Sequence, residues 1–191
     1  YLDVLGSPLT YNHYPTGWAW AFNTPFKLWK RYSSYQGGTA DPMIVSWPKQ
    51  IKNAGIRTQY THAIDIVPTI YECLGIEMPD TVKGHTQHPL EGESFVSSLH
   101  DEKAKGRKTQ FYSMLGTRGI YHDGWKAASV TPAMPDAWAE FATQRWELFD
   151  TTTDPSECHD VADKHPDKLA ELVALWWSEA GRYNALPLES R

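Results

Sequence analysis

Three short strand-like runs follow one another from Thr109. They are Thr109-Gln-Phe-Tyr-Ser-Met-Leu, Arg118-Gly-Ile-Tyr-His and Trp125-Lys-Ala-Ala-Ser-Val, punctuated by Gly116 and by Asp123-Gly124 as in a β-meander. After a Pro-rich loop, Arg145-Trp-Glu-Leu-Phe-Asp supplies a fourth. From Asp163 to Tyr183 the period changes: Leu169, Leu172, Val173, Leu175, Trp176 and Ala180 form one wide apolar stripe of a helix. Four antiparallel strands with one long helix across a face make a two-layer α+β unit, expected over residues 109–191.

Residues 1–108 read differently, as strands and helices separated by long polar loops. Residues 1–22 are rich in Gly, Pro, Tyr and Trp and read as loop, with an aromatic cluster of Tyr11, His13, Tyr14, Trp18 and Trp20 around Pro15 and Gly17. That cluster fits either a segment packed down by its rings or a wall of a substrate pocket. His13 is its one member that can also donate a hydrogen bond to a ligand. Pro25 stands near the start of a short helical turn expected over residues 26–32. Met43 to Ser46, between Pro42 and Pro48, reads as a buried strand.

A second helix is expected from the three-and-four spacing of Ile64, Val67, Ile70, Tyr71 and Leu74. Asp65 and Pro68 lie near its start and Gly75 is placed to end it. His62 and Asp65, three apart, form a pair that suits a helix entry. His85 and His88 lie in a polar loop and lack the further ligand a metal site needs. A turn and short helix follow Leu90.

The bulk numbers exclude some classes. The net charge is −5 with no basic stripe, which argues against nucleic acid as a partner. No apolar run approaches the ~20 residues of a membrane-spanning helix. Two cysteines, Cys73 and Cys158, do not make a disulfide scaffold, and Cys73 in an apolar stretch reads as a buried free thiol. The start lacks a Met and a signal-peptide pattern, which leads to the expectation that the chain is a piece of a longer one.

Several stretches together resemble the type I sulfatases of the alkaline phosphatase-like superfamily. Thr24-Pro-Phe-Lys-Leu-Trp-Lys30, then Gly37-Gly38, then Asp41-Pro-Met-Ile-Val-Ser-Trp-Pro48 looks like that family's segment before its last core strands. His62-Ala-Ile-Asp-Ile-Val-Pro-Thr-Ile70 with Gly75-Ile76 looks like its following helix. Arg118-Gly-Ile-Tyr121 with Gly124-Trp-Lys126, and Trp146-Glu-Leu-Phe-Asp150 with Asp154-Pro155 and Glu157, look like its C-terminal subdomain. The Tyr-Pro-Thr-Gly-Trp-Ala stretch points to the bacterial arylsulfatase branch.

The resemblance implies an α/β fold, with residues 1–108 as the C-terminal part of an alkaline phosphatase-like sandwich, followed by the α+β subdomain. It implies a hydrolase of sulfate esters that uses a formylglycine made from the Cys of Cys-x-Pro-x-Arg, a calcium ion, and cations around the sulfate. Neither Cys73 nor Cys158 begins that motif. The nucleophile and the calcium ligands are therefore expected in an N-terminal part of the same protein, which becomes the chain's partner, and no metal ligand is assigned here. One catalytic residue carries over: Lys30, upstream of the Gly-Gly pair, matches the family's sulfate-binding lysine, with Lys27 as competitor. His13 and Trp18 join Lys30 as substrate-binding candidates on the pocket rim. A phosphonate or phosphodiester hydrolase of the same superfamily is the alternative, as is a scaffold without activity when the segment is isolated.

Overall fold

The structure, a computed structural model, describes residues 1–129 and 144–188, which form two compact units. One unit joins Tyr1–Asp41 to Phe111–Arg191; the other is Pro42–Gln110. The Pro-rich loop after Val130 lies outside the described residues.

The first unit is built on a four-stranded antiparallel meander in the order β3 (Thr109–Met114), β4 (Thr117–His122), β5 (Trp125–Ser129) and β6 (Trp146–Asp150). Both tight hairpins turn on two residues with left-handed backbone, Leu115-Gly116 and Asp123-Gly124, the geometry that matches strand twist. Register pairs Ile120 with Ala127 and Ala127 with Leu148, which places the three on one face. Helix α5 (Pro166–Arg182) covers that face with Leu172, Trp176 and Ala180, all fully buried. Pro166 opens the helix, where a missing N–H costs nothing. The Trp176 indole N–H donates to the Tyr112 carbonyl at 3.0 Å, so its one polar atom is satisfied in the core.

The fold class expected from the sequence is observed: sheet, helix and their order are as read. Two local expectations in this unit are corrected. Residues 16–23 form helix α1 (Thr16–Asn23) rather than loop. Pro15 sits at its N-cap with φ −61°, compatible with helix entry, and Gly17 lies in the first turn, where it does little harm. Residues 26–32 are not helical, because Leu28 (φ 59°) and Arg31 (φ 92°) take left-handed backbone. A single turn, α2 (Gln36–Thr39), follows.

The second unit holds α3 (Ile66–Leu74), a hairpin of β1 (Thr81–Val82) and β2 (His85–Thr86), and α4 (Val96–His100). Gly75 ends α3 with φ 66°, as its position predicts. Asp65 is the hub. Its carboxylate accepts the His62 and Glu93 N–H groups, each at 2.8 Å, and forms a buried ion pair with Arg107. The His62 ring in turn accepts the Ile64 N–H, so His62 and Asp65 close a capping box. His85, expected in a loop, lies in the hairpin that turns on Lys83-Gly84, both left-handed. Cys73 is half-buried rather than buried, and both cysteines are free thiols.

Met43 to Ser46 departs most from expectation. The stretch is neither helix nor strand and makes no ladder among the described residues, and Met43, Ile44 and Val45 are 49%, 94% and 42% exposed. An apolar β-branched run becomes a buried strand only when neighbouring strands satisfy its backbone and cover its side chains. No helix among the described residues is long and apolar enough to cross a membrane.

Candidate functional site

The face of the meander opposite α5 is also covered, by the segment that runs from Asn23 to Ala40. Side chains alternate along each strand, so Gly119, Lys126, Ala128, Glu147 and Phe149 face away from α5. Residues 33–36 lie against them. Ser33 donates its N–H to Thr117 Oγ1 at 3.0 Å and its hydroxyl to the Thr117 carbonyl at 2.8 Å. Ser34 Oγ donates to the Ser129 carbonyl at 2.8 Å. Tyr35 packs edge-on against Phe149 and donates its hydroxyl to Glu147 Oε2 at 2.7 Å. Burial and the Glu147 carboxylate together push the Tyr35 phenol well above its ordinary range.

Beneath this segment lies an ion pair shut off from water. Lys126 Nζ stands 2.9 Å from Glu157 Oε1, and both side chains are 0% exposed. Burial pushes the Lys126 ammonium down, and Glu157 opposes that push. The second oxygen of Glu157 accepts the Gln36 N–H at 2.7 Å.

Gly37 and Gly38 follow, and both are required by close approach. A Cβ on Gly37 would lie 2.1 Å from the Lys27 carbonyl and 2.4 Å from that of Leu28. One on Gly38 would lie 2.0 Å from the Tyr32 carbonyl and 2.9 Å from that of Trp29. The loop of residues 27–32 is thus folded directly onto the glycine pair. Asn23 ties it further, its amide donating to the carbonyls of Leu28 and Gly37. The tip is a turn closed by Tyr32 N–H donating to the Trp29 carbonyl at 3.2 Å. Lys30 and Arg31 are its central residues, with Arg31 at the position where a type II turn needs positive φ.

Lys30 is exposed at this tip, and its ammonium makes no hydrogen bond or ion pair among the described residues. Lys27 is committed elsewhere: its Nζ lies over the rings of Tyr35 and Phe149, 4.8 and 4.6 Å from their centroids. His13 precedes α1, exposed, its ring edge-on to Tyr11 at 4.5 Å. Trp18 lies on α1, exposed and stacked on Phe22. No hydrogen bond or ring contact joins His13, Trp18 and Lys30 among the described residues. Instead Trp20 reaches the turn: it packs on Trp29 at 6.0 Å, and Trp29 packs on Tyr32 at 5.5 Å. Among the described residues no group of three or more His, Cys, Asp or Glu is gathered to hold a metal ion.

Reading single residues missed the frame that holds the turn, namely Asn23, Tyr35, Lys126, Glu147 and Glu157. The one local signal was Lys126, a charge inside Trp-Lys-Ala-Ala-Ser with small residues to its C-terminal side.

This cationic turn braced on a meander, with a helix on the other face, lies in a chain whose relatives are sulfatases. Residues 26–176 match the family N-sulphoglucosamine sulphohydrolase, C-terminal, and the chain belongs to it. An uncharacterised sulfatase of Schizosaccharomyces pombe is 29% identical over 178 residues, 92% of this chain and 31% of the relative. An N-acetylgalactosamine-6-O-sulfatase of Bacteroides thetaiotaomicron is 28% identical over 163 residues, 80% of this chain and 30% of the relative. A solved structure from work on the metabolism of multiple glycosaminoglycans by Bacteroides thetaiotaomicron superposes with TM-score 0.58 at 26% identity, covering 77% of this chain and 30% of that one. The chain spans about a third of the length of these curated relatives (31% and 30%).

Proposed function

We propose that this chain forms one wall of the active site of a sulfate ester hydrolase, with Lys30 as the residue that holds the sulfate. The observation that carries this reading is the contrast between the two lysines. Lys27 is fixed over Tyr35 and Phe149, whereas Lys30 stands exposed on a turn whose flanking residues are braced by Gly37, Gly38 and Asn23. A lysine ammonium is a compact point charge that suits a tetrahedral oxyanion, and its rigid support means little reorganisation as charge grows on the sulfuryl oxygens.

The described residues do not fit a calcium ion, since no cluster of ligands gathers, and neither cysteine stands in Cys-x-Pro-x-Arg. We assign formylglycine and calcium to a further part of the same protein and derive no step through them. The exposed run Met43, Ile44 and Val45 supports such a partner, because it has the composition of a strand awaiting neighbours. His13 and Trp18 would line the rim of the pocket, and Trp20 and Trp29 extend it toward Lys30. The substrate is a sulfate ester; the name of the Bacteroides relative favours a sulfated amino sugar.

The test is turnover of a chromogenic aryl sulfate, or of a 6-O-sulfated amino sugar, by the full-length polypeptide and its Lys30→Ala variant. Removing one donor from an anion-stabilising site lowers kcat by about 10²–10³-fold, and that loss is expected. Unchanged turnover by Lys30→Ala would refute the assignment.

A further inference from the structure

We infer that Glu157, held by Lys126, is a positioning residue for Lys30. This inference rests on the proposed sulfate role of Lys30. The path is short and made of direct contacts. Glu157 Oε1 is fixed by Lys126 at 2.9 Å, and Oε2 accepts the Gln36 N–H at 2.7 Å. Gln36 leads into Gly37 and Gly38, against which the carbonyls of Lys27, Leu28, Trp29 and Tyr32 are packed. Those four carbonyls flank Lys30 on both sides, so the height of the Lys30 turn above the sheet is set by where Gln36 is held.

Two features separate this arrangement from ordinary packing. A fully buried ion pair is a poor source of stability, because desolvating both charges offsets most of their attraction. An apolar pair of similar volume would serve the core as well. What an apolar pair cannot supply is an acceptor for the Gln36 N–H, and a carboxylate is the strongest such acceptor. The pair also ties β5, which carries Lys126, to the turn after its neighbour β6, which carries Glu157, while Gln36 belongs to a segment 121 residues earlier than Glu157. The C-terminal subdomain thereby contributes to a site whose substrate contacts lie elsewhere.

The substitutions that test this keep the buried charge balanced, because Glu157→Ala alone would strand the Lys126 ammonium. In the full-length polypeptide, Lys126→Met/Glu157→Gln retains an oxygen acceptor for Gln36, and Lys126→Met/Glu157→Leu removes it. The Leu variant is expected to lose about tenfold in kcat/KM relative to the Gln variant, the size of one backbone hydrogen bond. Amide exchange in residues 33–39 should accelerate by about the same factor, while α5 stays protected. Combined with Lys30→Ala, the two double variants should turn over sulfate ester equally, since a lysine that is gone cannot be misplaced. A merely structural role would lower both backgrounds alike, and that result overturns the inference, as does equal exchange in the two variants. If Lys30→Ala alone leaves turnover intact, the proposed function falls and this role with it. If Lys30→Ala abolishes turnover but the double variants match in both readouts, the positioning role alone falls.

Discussion

Replacing Gly37 with Ala tests the frame around Lys30 most directly. Its Cβ would sit 2.1 Å from the Lys27 carbonyl oxygen and 2.4 Å from that of Leu28, against the 3.4 Å at which ordinary contact begins. Both obstacles are backbone, so neither can swing aside as a side-chain end would. The loop must retreat by more than an ångström, and Asn23, which bonds to both Leu28 and Gly37, must lose at least one of its two bonds. Overpacking of this kind costs about 1–3 kcal/mol, and each kcal/mol lowers the melting temperature of a chain this size by about 2–4 °C. Thermal unfolding followed by tryptophan fluorescence reads the change. Gly181→Ala is the internal control. Nothing lies within 4 Å of its Cβ and it sits in α5, so alanine should stabilise by up to about 1 kcal/mol. If Gly37→Ala proved neutral or stabilising, the close packing of residues 27–32 on the glycine pair would be refuted.

Three further outcomes follow from the same geometry. Arg31→Gly should stabilise by about 1 kcal/mol, read from the urea midpoint, because Arg31 holds φ 92° where glycine is at ease. Leu172→Ala, on the fully buried face of α5, should cost about 2–5 kcal/mol in the same assay. The third concerns acid. Burial alone would raise the Asp65 carboxyl, but the Arg107 guanidinium and the Glu93 and His62 N–H groups outweigh it and hold the carboxyl below its ordinary value. A depressed carboxyl contributes stability above its unfolded value of about 3.9, and that stability is lost as pH falls through the folded one. Amide protection across Pro42–Gln110 should therefore drop below about pH 4. In Asp65→Asn, protection should be lower at neutral pH, because Arg107 loses its buried carboxylate partner, and nearly flat through the acid range.

Much of the meander and α5 was legible because their signals are local. Asp123-Gly124 names its own turn, and the stripe from Leu169 to Ala180 needs no other segment to be read. Gly75 likewise announced the end of α3. Helix α1 was hidden by Pro15 and Gly17, which punctuate most sequences but here occupy a helix start. Met43 to Val45 carried a genuine strand composition, yet strand formation depends on neighbours that a composition does not supply. The frame of the site was the least legible part. Ser33 meets Thr117 across 84 residues and Gln36 meets Glu157 across 121, and no periodicity encodes such pairings. The position of Lys30 came from family likeness; its exposure, and the withdrawal of Lys27 onto two rings, came from packing.

The two-sided meander has a consequence for how variation in this chain would be read. Along β5, Ala127 faces the helix and Ala128 faces the loop; along β6, Leu148 and Phe149 divide in the same way. Neighbouring positions with the same burial thus answer to different requirements. Changes at Ile120, Ala127 and Leu148 should lower how much protein accumulates. Changes at Gly119, Ala128 and Phe149 should lower what each folded molecule can do in addition to how much accumulates. A scan of every substitution across these strands would then separate abundance from specific activity by odd and even residue number, with the parity inverted from β4 to β5 and again from β5 to β6.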